Sequence, residues 1–137
     1  MAIDFDGATS KLEHTTAAVG FANWSLLFWA YPDGLGEGSQ GCVYRQPEGA
    51  TDTFPSTAGH LVIEYSAANT MRIRQGYGTA GGGWTFPANT GQWNAVGITH
   101  DSLAANDPLA RVNFTTATVT ETATPSGARV AVTSGYC

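Results

Sequence analysis

The sequence predicts an all-β protein, built as an antiparallel two-sheet β-sandwich. Short runs of β-branched and aromatic residues are separated by glycine, proline and asparagine, and the chain contains 17 glycines. Its apolar residues show no helical periodicity over more than ten residues in any segment. Many short strands with such breaks are typical of a sandwich or jelly roll.

Ten strands are predicted from alternating apolar and polar residues and from the turn residues between them. They span residues 2–6, 11–14, 23–31, 41–45, 60–66, 70–75, 92–100, 110–116, 118–122 and 129–133. Segment 76–83 contains five glycines and is predicted to be a flexible connector. Residues 1–137 are long enough for one core and are predicted to form a single domain.

One hairpin can be placed in register from the sequence. A three-residue loop at 67–69 pairs Tyr65 with Met71 and Ile63 with Ile73 on the core face. A shift of one residue would place apolar side chains opposite arginines, so this register is favoured.

The same register has a consequence for the opposite face of the hairpin. It sets Glu64 opposite Arg72, where opposite charges attract, and it gives Arg74 the same face. Glu64, Arg72 and Arg74 are therefore predicted to form a solvated outer face or an assembly surface between subunits.

Segment 24–31 is apolar on both faces of the predicted strand. Such a strand belongs in the middle of a sheet, covered on both sides or lining a groove on one.

Charge and hydropathy exclude two classes of partner. The formal net charge is −5, which argues against nucleic-acid binding because that binding depends on phosphate neutralisation. The longest apolar run covers residues 26–31, too short to cross a bilayer. The first residues show no basic segment followed by an apolar stretch, so no signal peptide is predicted.

The two cysteines, Cys42 and Cys137, lie far apart in the sequence. A disulfide between them and two free thiols both remain open. Neither cysteine has a histidine at a spacing typical of a zinc site.

The order of motifs resembles the laminin-G-like (LamG) branch of the concanavalin A-like jelly rolls. Residues 3–7, Ile-Asp-Phe-Asp-Gly, are similar to the opening strand of that family. Segment 21–34, which ends in Trp-Ala-Tyr-Pro-Asp-Gly, resembles its tryptophan strand. Segment 91–101 is close to the Gly-x-Trp strand that ends in aspartate, and residues 111–114 stand where the next motif of the family is expected.

Two departures from the family pattern affect what the resemblance implies. The glycine expected after Asn113 and Phe114 is absent, and fewer closing strands follow than the family usually has. The resemblance therefore implies a concanavalin A-like jelly roll that lacks some closing strands and exposes a sheet edge. It also implies core positions for Trp29 and Trp93.

The sequence does not predict an enzyme. The Glu-x-Asp-x-x-Glu pattern of the related glycoside hydrolases does not occur. Asp4 and Asp6 are two residues apart, but the resemblance gives them a structural place in the opening strand. The histidines are isolated from one another, and no Ser-His-Asp grouping is indicated.

Calcium is the one cofactor that the resemblance leaves open, since many concanavalin A-like domains bind it through loop carboxylates. Asp33, Asp52, Asp101 and Asp107 fall in predicted loops. They do not form a dense acidic cluster, and ordinary turn roles are favoured for them.

Candidate ligand contacts are aromatic, because sugar rings stack on the faces of such side chains. Trp84, Tyr77 and Trp24 are less constrained by the resemblance than the other aromatic residues. Trp84 follows the glycine-rich segment, where an exposed ring would be a ligand contact, but cover of a sheet edge is the favoured interpretation.

Two functions follow as predictions. The first is a non-catalytic structural protein at a virion surface, such as a phage capsid decoration. Its partners would be further copies of itself and a viral coat protein, and glycans are additional candidates. The alternative is a carbohydrate-binding or adhesion module of a larger secreted protein, located outside the cell.

Overall fold

The computed structural model describes residues 13–14, 23–34, 41–46, 61–130 and 135–136. These residues contain strands, turns and bends but no helix. The strands are β1 (Glu13–His14), β2 (Trp24–Ala30), β3 (Gly41–Gln46), β4 (Leu61–Ala67), β5 (Thr70–Gln75), β6 (Gly82–Pro87), β7 (Asn94–His100), β8 (Leu109–Val112), β9 (Thr115–Ala117), β10 (Thr120–Ala123) and β11 (Gly135–Tyr136).

The strands form two antiparallel sheets, which confirms the predicted two-sheet sandwich. One sheet has seven strands in the order β1-β11-β3-β4-β5-β6-β10, and the other has four in the order β2-β7-β8-β9. Both sheets contribute to one apolar core, in which Ile63, Ile73 and Trp84 of the larger sheet are buried with Val96 and Ile98 of the smaller.

The register predicted for the β4–β5 hairpin is confirmed. Tyr65 pairs with Met71 and Ile63 with Ile73, and these side chains are buried in the core. The loop is shorter than predicted, because Ala67 pairs with Thr70 after a shift in register beyond Tyr65. The bulge lets a two-residue turn close the hairpin without moving the core residues to the other face.

Strand β6 was not among the predicted strands. Its first residues belong to the glycine-rich segment, which is not a free connector in the structure. Tyr77 forms a bridge with Arg129 and Ala80 forms one with Ser126. Gly82 is required where it stands, since an added Cβ would lie 2.3 Å from Cη2 of the buried Trp84 ring.

Strand β2 alternates between the core and the outside. Trp24, Leu26 and Phe28 point inward, whereas Leu27 and Trp29 are exposed. Among the described residues β2 has β7 as its one neighbour and stands first in the four-stranded order. Within the described residues this segment is therefore an edge strand and not the predicted mid-sheet strand, and the side chains on its second apolar face are exposed.

Residues 110–116, predicted as one strand, form the two strands of the β8–β9 hairpin. The turn between them consists of Asn113 and Phe114, with φ values of 50° and 67°. Two left-handed residues define the turn that best fits the twist of a hairpin, and Asn-Gly is the favoured pair there. Phenylalanine replaces that glycine, and left-handed backbone with a side chain costs about 1–2 kcal/mol.

Several predicted features lie outside the described residues. They are the opening strand 2–6 with Asp4 and Asp6, the loop residue Asp52 and Cys137. Cys42 belongs to β3, but only its backbone is described. Within the part of the chain that is described, no helix is long and apolar enough to cross a membrane.

Candidate functional site

The outward side of the four-stranded sheet, here called the outer face, carries most of the exposed large apolar side chains. The outer face is formed by alternate residues of three strands and of the positions that flank two of them. They are Ser25, Leu27, Trp29 and Tyr31 along β2, Trp93, Ala95, Gly97 and Thr99 along β7, and Leu109 and Arg111 in β8. Leu27 is 77% exposed, Trp29 64% and Trp93 57%. A contiguous patch of exposed apolar side chains often marks an interaction site on a protein.

Register explains why the outer face is uneven. Trp29 lies opposite Ala95 and Leu27 lies opposite Gly97, so β2 carries the large side chains and β7 the small ones. On the far side of β7, Gly97 pairs with Arg111 and Thr99 with Leu109. The small residues of β7 therefore form the floor of a depression between taller neighbours.

That depression is called the hollow. It has a volume of about 270 Å³ and is lined by the side chains of Ser25, Leu27, Thr99, Leu109 and Arg111 and by Gly97. A Cβ added at Gly97 would meet only Cδ1 of Leu27, at 3.8 Å. The absence of a side chain at Gly97 thus leaves open space rather than serving a close contact.

The opposite end of the outer face is called the aromatic end and consists of Trp29, Tyr31, Trp93 and Phe114. The rings of Tyr31 and Trp93 meet edge to face, with centroids 5.6 Å apart and planes inclined by 61°. Phe114 occupies the tip of the β8–β9 hairpin and is 80% exposed. Antiparallel pairing brings this tip to the end of the sheet where β7 begins.

Asn113 fixes the hairpin tip to β7. Its backbone N–H donates to the carbonyl of Ala95 at 2.8 Å, and its side-chain Oδ1 accepts from the N–H of Ala95 at 2.9 Å. The aromatic end is therefore built on hydrogen-bonded backbone, which holds Phe114 in place without packing its ring.

The three aromatic residues predicted as ligand contacts lie elsewhere. Trp84 and Tyr77 have no exposed surface, and Trp24 is 6% exposed. Of the two interpretations of Trp84, the exposed one does not hold in the structure, because Gly82 leaves space for the ring to pack in the core on the inner face of β6. Neither Trp84 nor Tyr77 offers a ring face to a ligand, whereas Trp24 borders a polar cleft described below.

The predicted assembly surface is also not a solvated one. Glu64 is 2% exposed and accepts from Arg72 Nε at 2.8 Å and from Arg74 Nη2 at 3.3 Å. The side chain of Arg74 is 8% exposed, while that of Arg72 is 29% exposed. The predicted pairing of Glu64 with Arg72 is confirmed, but the group is buried ion pairing and leaves little surface for a second subunit.

Trp29 and Trp93 reverse the expectation that the resemblance gave them. Both were expected in the core, and both are more than half exposed. The sequence does contain a pattern that indicates the exposure of these two tryptophans, namely the alternation of residues in β7 and β8. Thr99 and Arg111 are polar and have the same outward phase as Trp93 and, through the ladder, as Trp29.

A second depression, the polar cleft, lies at the end of the sandwich remote from the aromatic end. It measures about 620 Å³ and is bordered by residues on β2, on β7 and in the loop that follows β7, among them Asn23, Trp24, Thr99, Asp101, Asn106 and Asp107. The carboxylate of Asp101 accepts from the backbone N–H of Leu103 and from Asn106 Nδ2. Asp107 accepts from Trp84 Nε1 at 2.7 Å.

These hydrogen bonds give Asp101 and Asp107 structural roles in and beside the loop. The hydrogen bonds from Leu103 and Asn106 lower the pKa of Asp101, as expected of a carboxylate that closes a turn. The described residues contain no group of three or more potential metal ligands, and Asp33 stands apart at the end of β2. The loop-carboxylate calcium site that the resemblance left open has no counterpart among them.

His100 lies beneath the polar cleft with its side chain fully buried. Its ring meets those of Trp24 and Trp84 edge-on, with centroids 6.0 and 5.4 Å away. Nε2 donates to the carbonyl of Asn106 at 2.9 Å, and Nδ1 lies 3.3 Å from Gln75 Oε1. Burial lowers the pKa of His100, which outweighs the opposing effect of the Asn106 carbonyl and Asp101.

Gln75 and Tyr77 continue this network into the core. Gln75 Oε1 accepts from Trp24 Nε1 at 2.9 Å, and Gln75 Nε2 donates to the hydroxyl of Tyr77 at 3.2 Å. Burial raises the pKa of Tyr77 to about 12. The network pairs the buried polar groups of Trp24, Gln75 and Tyr77 between the sheets and contains no exposed nucleophile or base.

Comparison of the chain with protein-family models, curated proteins and solved structures found no match. The class that the structure defines is therefore architectural: an antiparallel β-sandwich of unequal sheets with an exposed apolar face on the smaller one.

Proposed function

We propose that this chain is a non-catalytic structural protein that self-associates through the outer face of its four-stranded sheet. The observation that carries the proposal is the row of exposed Leu27, Trp29 and Tyr31 along β2, flanked by Trp93 and Leu109. These side chains gain little burial when the monomer folds, whereas contact with a second copy would remove them from water and stabilise the assembly.

Composition of the outer face agrees with a protein–protein interface. Interfaces are rich in tryptophan, tyrosine and arginine and poor in lysine and acidic residues. Trp29, Tyr31, Trp93 and Arg111 belong to the favoured types, and Arg111 is the only charged residue among those that define the outer face. The chain as a whole has Lys11 as its single lysine.

The proposal places the protein at a virion surface, where copies would be displayed side by side on a coat. Repetition of one modest contact across many copies gives a stable layer, because each added contact is made at high effective concentration. A viral coat protein would then be the second partner beside the chain itself.

The test is sedimentation equilibrium of the full chain over a wide concentration range, with two matched variants. Leu27→Ser removes an apolar side chain from the outer face, and Leu103→Ser removes one that is also more than half exposed but lies in the loop after β7. Leu27→Ser should weaken association by at least about tenfold, the effect of 1.4 kcal/mol. Leu103→Ser should leave it unchanged.

Two results would contradict self-association through the outer face. One is a wild-type chain that remains monomeric at the highest concentration. The other is equal weakening by Leu27→Ser and Leu103→Ser, since the effect would then not depend on position.

A second candidate function is carbohydrate binding, and the aromatic end favours it specifically. Trp29, Tyr31 and Trp93 are all exposed at one end of a sheet, as stacking on sugar rings requires. A glycan array probed with wild type, Trp29→Ala and Leu27→Ser tests this. Saturable binding that is lost in Trp29→Ala and kept in Leu27→Ser supports sugar recognition, whereas a blank array removes it.

A further inference from the structure

Asp33 and Gly34 lie in a bend that follows β2, two and three residues after Tyr31. Both residues are exposed, and among the described residues the Asp33 carboxylate has no hydrogen-bond or ion-pair partner. The backbone N–H of Gly34 likewise meets no acceptor in that part of the chain. A carboxylate and the amide nitrogen that follows it are therefore both available to react with each other.

The reaction open to such a pair is closure of a succinimide ring. The nitrogen of Gly34 attacks Cγ of Asp33, the new C–N bond replaces the bond from Cγ to its hydroxyl oxygen, and the amide proton leaves with that hydroxyl as water. Hydrolysis at the main-chain carbonyl takes up one water and breaks the original peptide bond between Asp33 and Gly34. The chain then runs through the side chain of residue 33 as isoaspartate, and no oxidant, reductant or enzyme is needed.

Gly34 removes two obstacles to this ring closure. It has no side chain beside the attacking nitrogen, and glycine adopts a wider range of backbone angles than any other residue. A Cβ built at Gly34 would meet nothing within 4 Å, so the surroundings also leave room for the ring. Neither a side chain nor a neighbouring group therefore blocks the approach of the nitrogen to Cγ.

Asp101 shows how the fold prevents the same reaction elsewhere. It is also followed by a small residue, Ser102, but its carboxylate accepts from the N–H of Leu103 at 3.0 Å and from Asn106 Nδ2. Ser102 is 7% exposed and has its φ fixed at 61°. The carboxylate of Asp101 is thus held by other donors, away from the nitrogen of Ser102, whereas Asp33 is not held.

We propose that Asp33 is a site of spontaneous isomerisation to isoaspartate in the folded protein. This inference goes beyond the proposed function and does not depend on it. The carbonyl of Pro32 accepts from the N–H of Gly91 at 2.7 Å, which fastens the end of β2 to the loop before β7. Isomerisation adds one main-chain atom beyond that hydrogen bond, so the pairing of β2 with β7 survives. Isomerised chains therefore accumulate with age as folded molecules.

The first experiment follows the folded full chain during prolonged incubation at neutral pH. Peptide mapping with electron-transfer mass spectrometry separates isoaspartate from aspartate and assigns it to a residue. Isoaspartate should form at Asp33 at least about tenfold faster than at Asp101, a difference of about 1.4 kcal/mol in activation free energy. Incubation in concentrated urea should narrow this difference, because unfolding releases the Asp101 carboxylate. Absence of isoaspartate at residue 33 in the folded chain, or equal rates at the two residues there, overturns the inference.

The second experiment tests the attacking group with two valine variants. Gly34→Val places a branched side chain beside the nitrogen, in open space, so it should keep the wild-type Tm and isomerise at Asp33 at least about tenfold more slowly. Gly97→Val is the matched control, because its added Cβ meets only the end of Leu27 and lies on another strand. It should leave the rate at Asp33 unchanged. An unchanged rate in Gly34→Val, or equal slowing in both variants, overturns attack by the Gly34 nitrogen.

Discussion

The two sheets of this sandwich differ in what they place on their outward sides. On the seven-stranded sheet, Glu64 and Arg74 point away from the core and are nevertheless buried. On the four-stranded sheet, Leu27 and Trp29 point away from the core and are exposed. Charged side chains are thus covered and apolar ones uncovered, so residue type alone does not identify the solvent face. The uncovered apolar side chains are the ones that the proposed self-association would bury.

The largest expected effect comes from breaking the buried ion pairs. Glu64→Gln removes the charge that both Arg72 and Arg74 contact while keeping the shape of the side chain. Loss of one partner from a buried pair costs about 3–5 kcal/mol, because the remaining charge stays desolvated. Urea denaturation should show this loss.

Glu121→Gln is the matched control for Glu64→Gln. Glu121 is an exposed carboxylate on β10 that accepts a hydrogen bond from the Thr124 hydroxyl. Its loss should change stability by less than about 0.5 kcal/mol. Equal effects of the two substitutions would mean that the burial of Glu64 adds nothing to its contribution.

A smaller loss of stability is expected when a side chain is added at Gly82, on the core side of the seven-stranded sheet. Gly82→Ala places a Cβ 2.3 Å from the Trp84 ring and 3.0 Å from Cβ of Pro125, so the ring must move. Overpacking of this kind costs about 1–3 kcal/mol. Thermal unfolding of Gly82→Ala and of Gly34→Ala measures the difference, since an added Cβ at Gly34 meets nothing within 4 Å.

The pH dependence of stability should report on His100. Its folded pKa is lowered by burial, so the unfolded chain binds the proton more readily. Stability is therefore complete above the unfolded value near 6.5 and falls as the pH drops from there toward the folded pKa. The slope from one proton does not exceed about 1.4 kcal/mol per pH unit.

His100→Asn removes this titration. Urea denaturation between pH 7.5 and 5 should give a flatter profile for the variant than for wild type. If wild type and His100→Asn lose stability with the same slope, the pH dependence comes from groups other than His100.

The smallest effect on stability is expected on the outer face. Trp29→Ser and Leu27→Ser remove exposed side chains and should each change the free energy of unfolding of the monomer by less than about 0.5 kcal/mol. Measurement at low protein concentration separates this from any loss of association. A loss of several kcal/mol in the monomer would show that these residues support the fold and are not free for a partner.

The sequence predicts correctly which side chains of a strand face the core wherever apolar and polar residues alternate along that strand. In β4 and β5, charged residues alternate with apolar ones, so Glu64 and Arg72 could be paired before the structure was known. The prediction failed on β2, where Leu26, Leu27, Phe28 and Trp29 are all apolar and give no phase. The core and the outer face were therefore exchanged for Trp24 and Trp29, the two tryptophans of β2.

Other failures have steric causes that a linear pattern does not show. The glycines before Trp84 indicated a loose connector, but Gly82 provides space for a ring inside the core. The hairpin turn at Asn113 was missed because Phe114 occupies the position that glycine normally marks. Burial of Glu64 could not be predicted from its partner alone.

The division of the four tryptophans gives the chain an intrinsic optical reporter. Trp24 and Trp84 are buried, whereas Trp29 and Trp93 are exposed, and no other tryptophan is present. Fluorescence quenching by iodide should therefore reach one pair and spare the other. Emission from the accessible pair follows events on the outer face, while emission from the shielded pair follows the integrity of the core. One unlabelled sample thus distinguishes binding from unfolding.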